Sequence, residues 1–170
     1  MSHFLQETVQ WLEQMHLRPE VVVMIVSALP VFEIRGGVLV GLLVFHISPL
    51  EVLALGIVGN MITVAPLLFL VESLSQRLRG DRPAGRALNW VFRRAERRAE
   101  QINRWGPLGL FAFVAIPLPG SGGVTGSLVA VLLRMRKGRA LLAISLGVVA
   151  SGVIMTLLTL GARAGLRALL

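Results

Sequence analysis

The chain has 170 residues, of which 55% are hydrophobic and 15% charged, with a formal net charge of +8. This apolar share excludes a disordered tail, a coiled coil and most soluble enzymes, and the absence of cysteine excludes disulfides, thiol chemistry and iron–sulfur sites. With only three histidines we expect no metal site and no cofactor. Because the basic charge accompanies so much apolar sequence, we attribute it to an anionic membrane surface and not to nucleic acid.

The pattern along the chain predicts one all-α membrane domain spanning residues 1–170. Its first part, residues 1–20, spaces apolar side chains from Phe4 to Met15 along one helical face, which predicts an amphipathic helix on the membrane surface. The remainder divides into a first repeat at 21–74, a basic amphipathic connector at 75–105 and a second repeat at 106–170.

Two uncharged stretches are long enough to cross a bilayer. Residues 52–71 and 140–162 each reach the roughly 20 residues that a ~30 Å hydrocarbon core requires. Ser48, Pro49 and Glu51 form a helix-start signal before the first stretch, with an N-cap, a proline at N1 and a carboxylate at N3. We predict two full transmembrane helices.

Two further apolar stretches, 21–45 and 106–133, are broken in the middle by proline and glycine. Segment 75–105 contains nine arginines and three acidic residues, which gives a net charge of +6. Segment 134–139 contains four basic residues and no acidic residue, which gives +4. By the positive-inside rule both basic segments should lie in the cytoplasm. This is possible only if residues 106–133, which connect them, enter the membrane and leave it on the same side. We therefore predict two broken re-entrant helical hairpins that enter from opposite sides of the membrane.

This arrangement predicts an inverted repeat, in which each half is a broken hairpin followed by one spanning helix. The halves align weakly, with residues 55–60 over 146–151, so that Asn60 and Ser151 occupy matching places. These two side chains either line a shared cavity or, more commonly, hydrogen-bond between helices.

Glu33 and Arg35 are the ionisable residues expected deepest in the membrane, where charge is costly and usually functional. We expect the tip of the first hairpin, residues 30–37, to be extended and to point both side chains into a cavity. The alternative is an ion pair between Glu33 and Arg35 that only stabilises this tip. The tip of the second hairpin, residues 117–126, either presents backbone N–H groups to an anion or provides small residues for close helix packing. The candidate site residues, which bind substrate or protons, are Pro30, Glu33, Arg35, Gly36, Gly37, Asn60, Pro117, Pro119, Gly120, Ser121, Gly122, Gly123, Thr125 and Ser151.

The connector at 75–105 carries an apolar stripe, a basic face and the aromatic residues Trp90 and Trp105. This pattern predicts either a helix lying on anionic lipid headgroups or a solvated loop that determines topology. Nucleic-acid binding is disfavoured, because no aromatic stacking pattern accompanies the charge.

The motifs PVFEIRGGVLVG at 30–41 and PLPGSGGVTGSLVA at 117–130 resemble the small multi-drug export protein family, which is similar in plan to the DedA or VTT membrane proteins. The resemblance implies an integral membrane protein with facing hairpins and proton-dependent transport, and some members of the wider group move polyprenyl-phosphate or phospholipid. It matches Glu33 and Arg35 to the acidic and basic residues of the first tip. DedA proteins usually carry arginine in the second tip, where this chain has Ser121, Gly122 and Thr125, which argues against a phosphate headgroup as substrate.

These observations predict a multi-pass, proton-coupled transporter of the inner membrane that moves a small molecule or lipid-linked anion. Glu33 would exchange protons, while Arg35 would engage an anionic group or hold Glu33 ionised. The small size is compatible with a homodimer. The alternative function is a non-transporting scaffold or a lipid-organising, scramblase-like protein. An enzyme is disfavoured, because no nucleophile is accompanied by a base.

Overall fold

The computed structural model describes residues 17–77, 102, 104–118 and 120–169, with the backbone alone at 71–77 and 167–169. Every element in these ranges is a helix: α1 (Pro19–Ala28), α2 (Glu33–Leu39, continued by a π-helical turn at Val40–Val44), α3 (Pro49–Arg77), α4 (Pro107–Ala115), α5 (Gly123–Leu132) and α6 (Lys137–Leu169). The predicted surface helix at 1–20 and the predicted connector at 75–105 lie mostly outside the described residues.

The two long helices, α3 and α6, are antiparallel neighbours. Their apolar spans, Pro49–Leu70 and Lys137–Leu166, are long and apolar enough to cross a membrane. The lengths of 22 and 30 residues correspond to about 33 and 45 Å at 1.5 Å per residue. The Ser145 hydroxyl lies 3.4 Å from the Met61 sulfur, and the Lys137 ammonium lies 5.7 Å from the centre of the Phe69 ring. Both predicted helices are therefore present, and each is long and apolar enough to cross a membrane.

Helices α1 and α2 form a hairpin that packs against α3. The first leg runs parallel to α3, because Asn60 Nδ2 donates to the Ser27 carbonyl at 3.2 Å and Thr63 Oγ1 donates to the Ala28 carbonyl at 2.6 Å. The second leg returns toward the start of α3, where a Cβ on Gly41 would contact Val52. Both outer ends of this hairpin therefore lie near the start of α3.

Helices α4 and α5 form a second hairpin at the other end of the molecule. Its first leg runs parallel to α6, since Leu108 shares a cavity with Arg139 while Val114 lies against Gly147. The end of α5 lies beside Lys137, so both outer ends of the hairpin lie near the start of α6. The two legs approach closely at Gly126, where a Cβ would come within 2.7 Å of Val114. The absence of a side chain at Gly126 permits this contact.

The predicted extended tip at 30–37 is wrong. Helix α2 begins at Glu33, so the break between the two legs covers only residues 29–32. The first-turn amide of Gly36 already bonds to the Phe32 carbonyl at 3.0 Å, which satisfies backbone groups that extended chain would leave open. Helix α3 starts at Pro49, as predicted, and continues past Pro66 without a break.

Candidate functional site

The two breaks meet halfway along the long helices. Asn60 lies within one residue of the midpoint of the span Pro49–Leu70, and Ser151 lies within one residue of the midpoint of Lys137–Leu166. Both side chains are buried. Gly123, at the start of α5, is the point where the second tip contacts Asn60. The matched positions inferred from the sequence thus flank the place where the tips touch.

Glu33 crosses from the first hairpin to the start of α5. Its side chain is 7% exposed, and its Oε1 accepts a hydrogen bond from the Val124 amide at 3.1 Å. The first amides of a helix have no intrahelical partner and carry partial positive charge, so the start of α5 is a favourable place for a carboxylate. Glu33 itself has φ +50°, a left-handed conformation that costs energy and persists only where the surroundings enforce it.

Only glycine leaves room at position 122 for the Glu33 carboxylate. A Cβ built on Gly122 would overlap the carboxylate oxygens. Gly120, two residues earlier, has φ +80° and supplies the turn that directs the chain into α5. These two glycines therefore allow the backbone before α5 to surround the Glu33 carboxylate.

Arg35 binds the other end of the second break. Its Nη1 donates to the Leu118 carbonyl at 2.6 Å, and its Nη2 donates to the carbonyl of Ser121 and, at 3.1 Å, to the Ser121 hydroxyl. Its Nε lies 3.5 Å from Ser151 Oγ on α6. The planar guanidinium can hold two acceptors at once, and these carbonyls follow the carboxyl end of α4, where partial negative charge accumulates.

Ser121 organises the acceptors that Arg35 uses. Its hydroxyl donates to the Ile116 carbonyl at 2.7 Å and accepts from the Leu118 amide at 3.2 Å. Within the described residues the side-chain hydrogen bonds of Glu33 and Arg35 cross to the opposite hairpin or to α6. These contacts join the two tips.

The remaining predicted site residues form no hydrogen bond with the Glu33 or Arg35 side chains in the described part of the chain. Gly36 lies beneath Phe32, and a Cβ on Gly37 would overlap Ser27 Oγ on α1, so both glycines allow the legs of the first hairpin to pack. Thr125 is half-buried in the first turn of α5. Pro30 is exposed at the first break, Pro117 is half-buried at the second, and Pro119 lies outside the described residues.

The sequence reasoning missed the backbone acceptors of Ile116 and Leu118, and also Ser27 and Thr63. Ser27 Oγ and Asn60 Oδ1 are buried and have no hydrogen-bond partner among the described residues. The only sequence signal for Ser27 is its position just before a break flanked by apolar residues. In the described part of the chain, no group of three His, Cys, Asp or Glu side chains forms a metal site.

Comparison with known proteins adds one match. The model of a protein family described as "Putative small multi-drug export protein" matches residues 33–154, a range that begins at Glu33 and includes the whole second tip. Asn60 and Ser151 fall inside the matched range. No curated protein and no solved structure matches the chain.

Proposed function

The chain belongs to the small multi-drug export family, and on this premise we propose that it is a proton-coupled, multi-pass transporter of the inner membrane. Its cargo would be a small molecule or a lipid-linked anion. The observation that carries the proposal is the contact between the tips: two charged side chains of one hairpin bind the broken backbone of the other, halfway along two membrane-length helices.

The proposed topology is a pair of re-entrant hairpins related as inverted repeats. Each hairpin starts with a proline at the first helical position, Pro19 or Pro107, and each has a glycine three residues into its second leg, Gly36 or Gly126. Each first leg runs parallel to the long helix of its own half, while α3 and α6 are antiparallel. Broken helices that meet at the membrane midplane are a common way to build a transport site.

The basic segment 134–139 sets the proposed orientation. It carries four positive charges and no carboxylate, and it lies at the outer ends of the second hairpin. By the positive-inside rule this end faces the cytoplasm, so the first hairpin enters from outside.

Gating would follow from the protonation of Glu33. Protonation neutralises the Glu33 carboxylate, which then is attracted less strongly to the amides at the start of α5. The contact between Glu33 and the second tip would therefore weaken. Arg35 is held by carbonyl and hydroxyl oxygens, so an anionic group on the cargo could displace them as a stronger partner. Separation of the tips would then open one side of the site.

Transport can be tested in proteoliposomes with an imposed pH gradient, using carboxyfluorescein as a small anion and fluorescent phosphatidylglycerol as a lipid anion. We expect gradient-dependent movement of one probe by the wild type and none by Glu33→Gln, which keeps the size of the side chain. Glu51→Gln, which alters an exposed carboxylate at the start of α3, is the matched control and should transport normally. Wild-type flux in Glu33→Gln, with the protein folded and inserted, would contradict the proposal.

The topology can be tested separately, because the chain contains no cysteine that would interfere with labelling. Single cysteines at Asp81 and Gly138 should react with a membrane-impermeant maleimide from the cytoplasmic face, and one at Ser48 from the outer face. Labelling of Asp81 and Gly138 from opposite faces would show that 106–133 spans the membrane and would rule out the inverted repeat.

A lipid-organising scaffold is the second candidate function. It is favoured by one observation: the side chains of Glu33 and Arg35 hydrogen-bond to the opposite tip, as a permanent contact between the hairpins requires. A scaffold predicts that Glu33→Gln changes stability while no probe moves in the wild type, so the same experiment separates the two functions.

A further inference from the structure

The side-chain amide of Asn60 is bonded on one side and unused on the other. Its Nδ2 donates to the Ser27 carbonyl at 3.2 Å, which fixes the orientation of the amide group. Its Oδ1 is buried and has no hydrogen-bond partner among the described residues. The side chain is 1% exposed, so bulk water does not supply the missing donor. A buried acceptor without a donor costs free energy and is uncommon in folded proteins.

The unused oxygen faces the start of α5. A Cβ built on Gly123 would lie 2.9 Å from Asn60 Oδ1, and the other two atoms nearest to it are methyl carbons of Val64 and Val148. Asn60 Oδ1 is therefore the one polar atom among these three neighbours. Gly123 is the first residue of α5, and the initial amides of a helix have no acceptor within the helix. An acceptor that lacks a donor thus lies beside donors that depend on an outside acceptor.

Glu33 is the present partner of these amides. Its Oε1 accepts a hydrogen bond from the Val124 amide at 3.1 Å, and the Gly123 amide faces the same carboxylate. Among the described residues, Arg35 is the charged group that interacts with Glu33, and a guanidinium cannot accept a hydrogen bond. The first amides of α5 therefore lie between two acceptors, Glu33 on α2 and Asn60 on α3, of which only Glu33 is in use.

We propose that Asn60 is a positioning residue that accepts the amides at the start of α5 when Glu33 releases them. This inference rests on the proposed gating, in which protonation weakens the contact between Glu33 and the second tip. Halfway across a membrane a backbone amide without an acceptor is strongly unfavourable, so release by Glu33 requires a replacement. Asn60 Oδ1 provides that replacement and gains the donor that it lacks. The second tip then has two bonded positions, one on the first hairpin and one on α3.

The test measures hydrogen exchange of the Val124 amide by NMR, using the full chain in detergent micelles. Glu33→Leu removes both carboxylate oxygens at a similar side-chain size, so that Asn60 is the acceptor that remains. In this background Asn60→Leu should speed exchange at Val124 by at least about tenfold, because the amide then has no acceptor. In the wild-type background Asn60→Leu should change it by less than about threefold, because Oδ1 has no donor there.

Two further variants separate the acceptor from the attachment of the hairpin. Thr63→Val removes the hydrogen bond to the Ala28 carbonyl and leaves both acceptors at α5 intact. It should have the same small effect on Val124 with and without Glu33. Asn60→Asp keeps an oxygen that can face α5 and loses the amide donor to Ser27. It should keep Val124 exchange slow in the Glu33→Leu background, whereas a residue that only attaches the hairpin would not be replaced by aspartate.

The exchange data can overturn the inference in two ways. Equal effects of Asn60→Leu with and without Glu33 would show that the oxygen is not used, and a Thr63→Val effect that depends on Glu33 would show general loosening of the hairpin. If the double leucine variant unfolds, as reported by amides throughout α3, Glu33→Leu with Asn60→Asp decides the question, because fast exchange at Val124 in that folded variant overturns the inference.

This measurement uses no pH gradient and no cargo, so its outcome is separate from that of the transport assay. Movement of a probe without coupling between Glu33 and Asn60 would leave the proposed function standing and remove the role of Asn60. Coupling at Val124 without movement of any probe would keep the alternative acceptor and contradict transport.

Discussion

The two tips contribute different chemistry to one contact. The first tip supplies the charged side chains of Glu33 and Arg35, which lie at the start of α2 just after a break of four residues at 29–32. The second tip supplies the Val124 amide at the start of α5, together with carbonyls and the Ser121 hydroxyl from a longer break at 116–122. A tip without ionisable side chains is therefore not electrostatically neutral, because the ends of the helices that flank it carry partial charges of both signs.

This difference explains how the second tip binds Glu33 and Arg35 without a charged side chain of its own. Glu33 meets the positive end of α5, and Arg35 meets carbonyls beyond the negative end of α4. Each charge therefore has a complementary partner, although the second tip contains only neutral residues from Pro117 to Thr125. Substitutions on either side of the contact therefore measure how strongly each side depends on the other.

The largest effect on stability is expected from Gly122→Ala. The backbone of Gly122, with φ 164°, is one that alanine adopts freely, so the cost arises from the overlap of the new Cβ with the Glu33 carboxylate. Overpacking and the loss of a hydrogen bond to a charged group together cost about 4 kcal/mol. The measurement is the free energy of unfolding in detergent micelles.

Gly138→Ala is the matched control for this substitution. No atom lies within 4 Å of a Cβ built on Gly138, and the residue lies in the first turn of α6. Alanine should therefore stabilise the helix by roughly 0.5–1 kcal/mol. If Gly122→Ala were as well tolerated as Gly138→Ala, the position assigned to the Glu33 carboxylate would be wrong.

The next largest effect is expected from Arg35→Lys, which keeps the charge and removes the planar fork. A lysine ammonium cannot hold the Leu118 carbonyl and Ser121 with the geometry of the guanidinium, so we expect a loss of about 2 kcal/mol in unfolding free energy. The exposed Arg139→Lys should change stability by less than about 0.5 kcal/mol. Equal stability of both variants would indicate that charge alone, without the fork, holds Arg35 to the second tip.

Much of the architecture could be predicted because it follows from length and composition. The uncharged runs at 52–71 and 140–162 predicted α3 and α6, and Pro49 marked the first residue of α3. The proline- and glycine-rich segments at 30–37 and 117–123 overlap the two breaks at 29–32 and 116–122. These signals are local, so one sequence is enough to detect them.

The backbone partners of Glu33 and Arg35 could not be predicted, because they lie 81 to 91 residues away along the chain. A carbonyl at Leu118 or an amide at Val124 has no signature in its side chain. The helical start at Glu33 was also missed, since glycines at Gly36 and Gly37 lower helix propensity and only packing against Ser27 and Phe32 overrides it. Tertiary contact, which the sequence does not display, decided both points.

The smallest effects are expected at the two midpoints, where the first hairpin contacts the two long helices. Asn60→Ala removes a hydrogen bond from a buried side chain to the Ser27 carbonyl and should cost about 1–2 kcal/mol. Ser151→Ala removes only a contact of 3.5 Å with Arg35 Nε and should cost less than about 0.5 kcal/mol. In thermal melts these losses correspond to lower melting temperatures by roughly 2–8 °C and less than about 2 °C.

Both alanine variants test how the first hairpin is attached to the long helices, because Asn60 on α3 bonds to the Ser27 carbonyl and Ser151 on α6 contacts Arg35. The first hairpin is bonded to α3 through Asn60 and Thr63, whereas the second tip contacts α3 and α6 through Gly123, which has no side chain to donate a hydrogen bond. We therefore expect the first hairpin to be held more firmly to α3 than to α6. A larger loss of stability in Ser151→Ala than in Asn60→Ala would reverse this order and make the contact with α6 the stronger attachment.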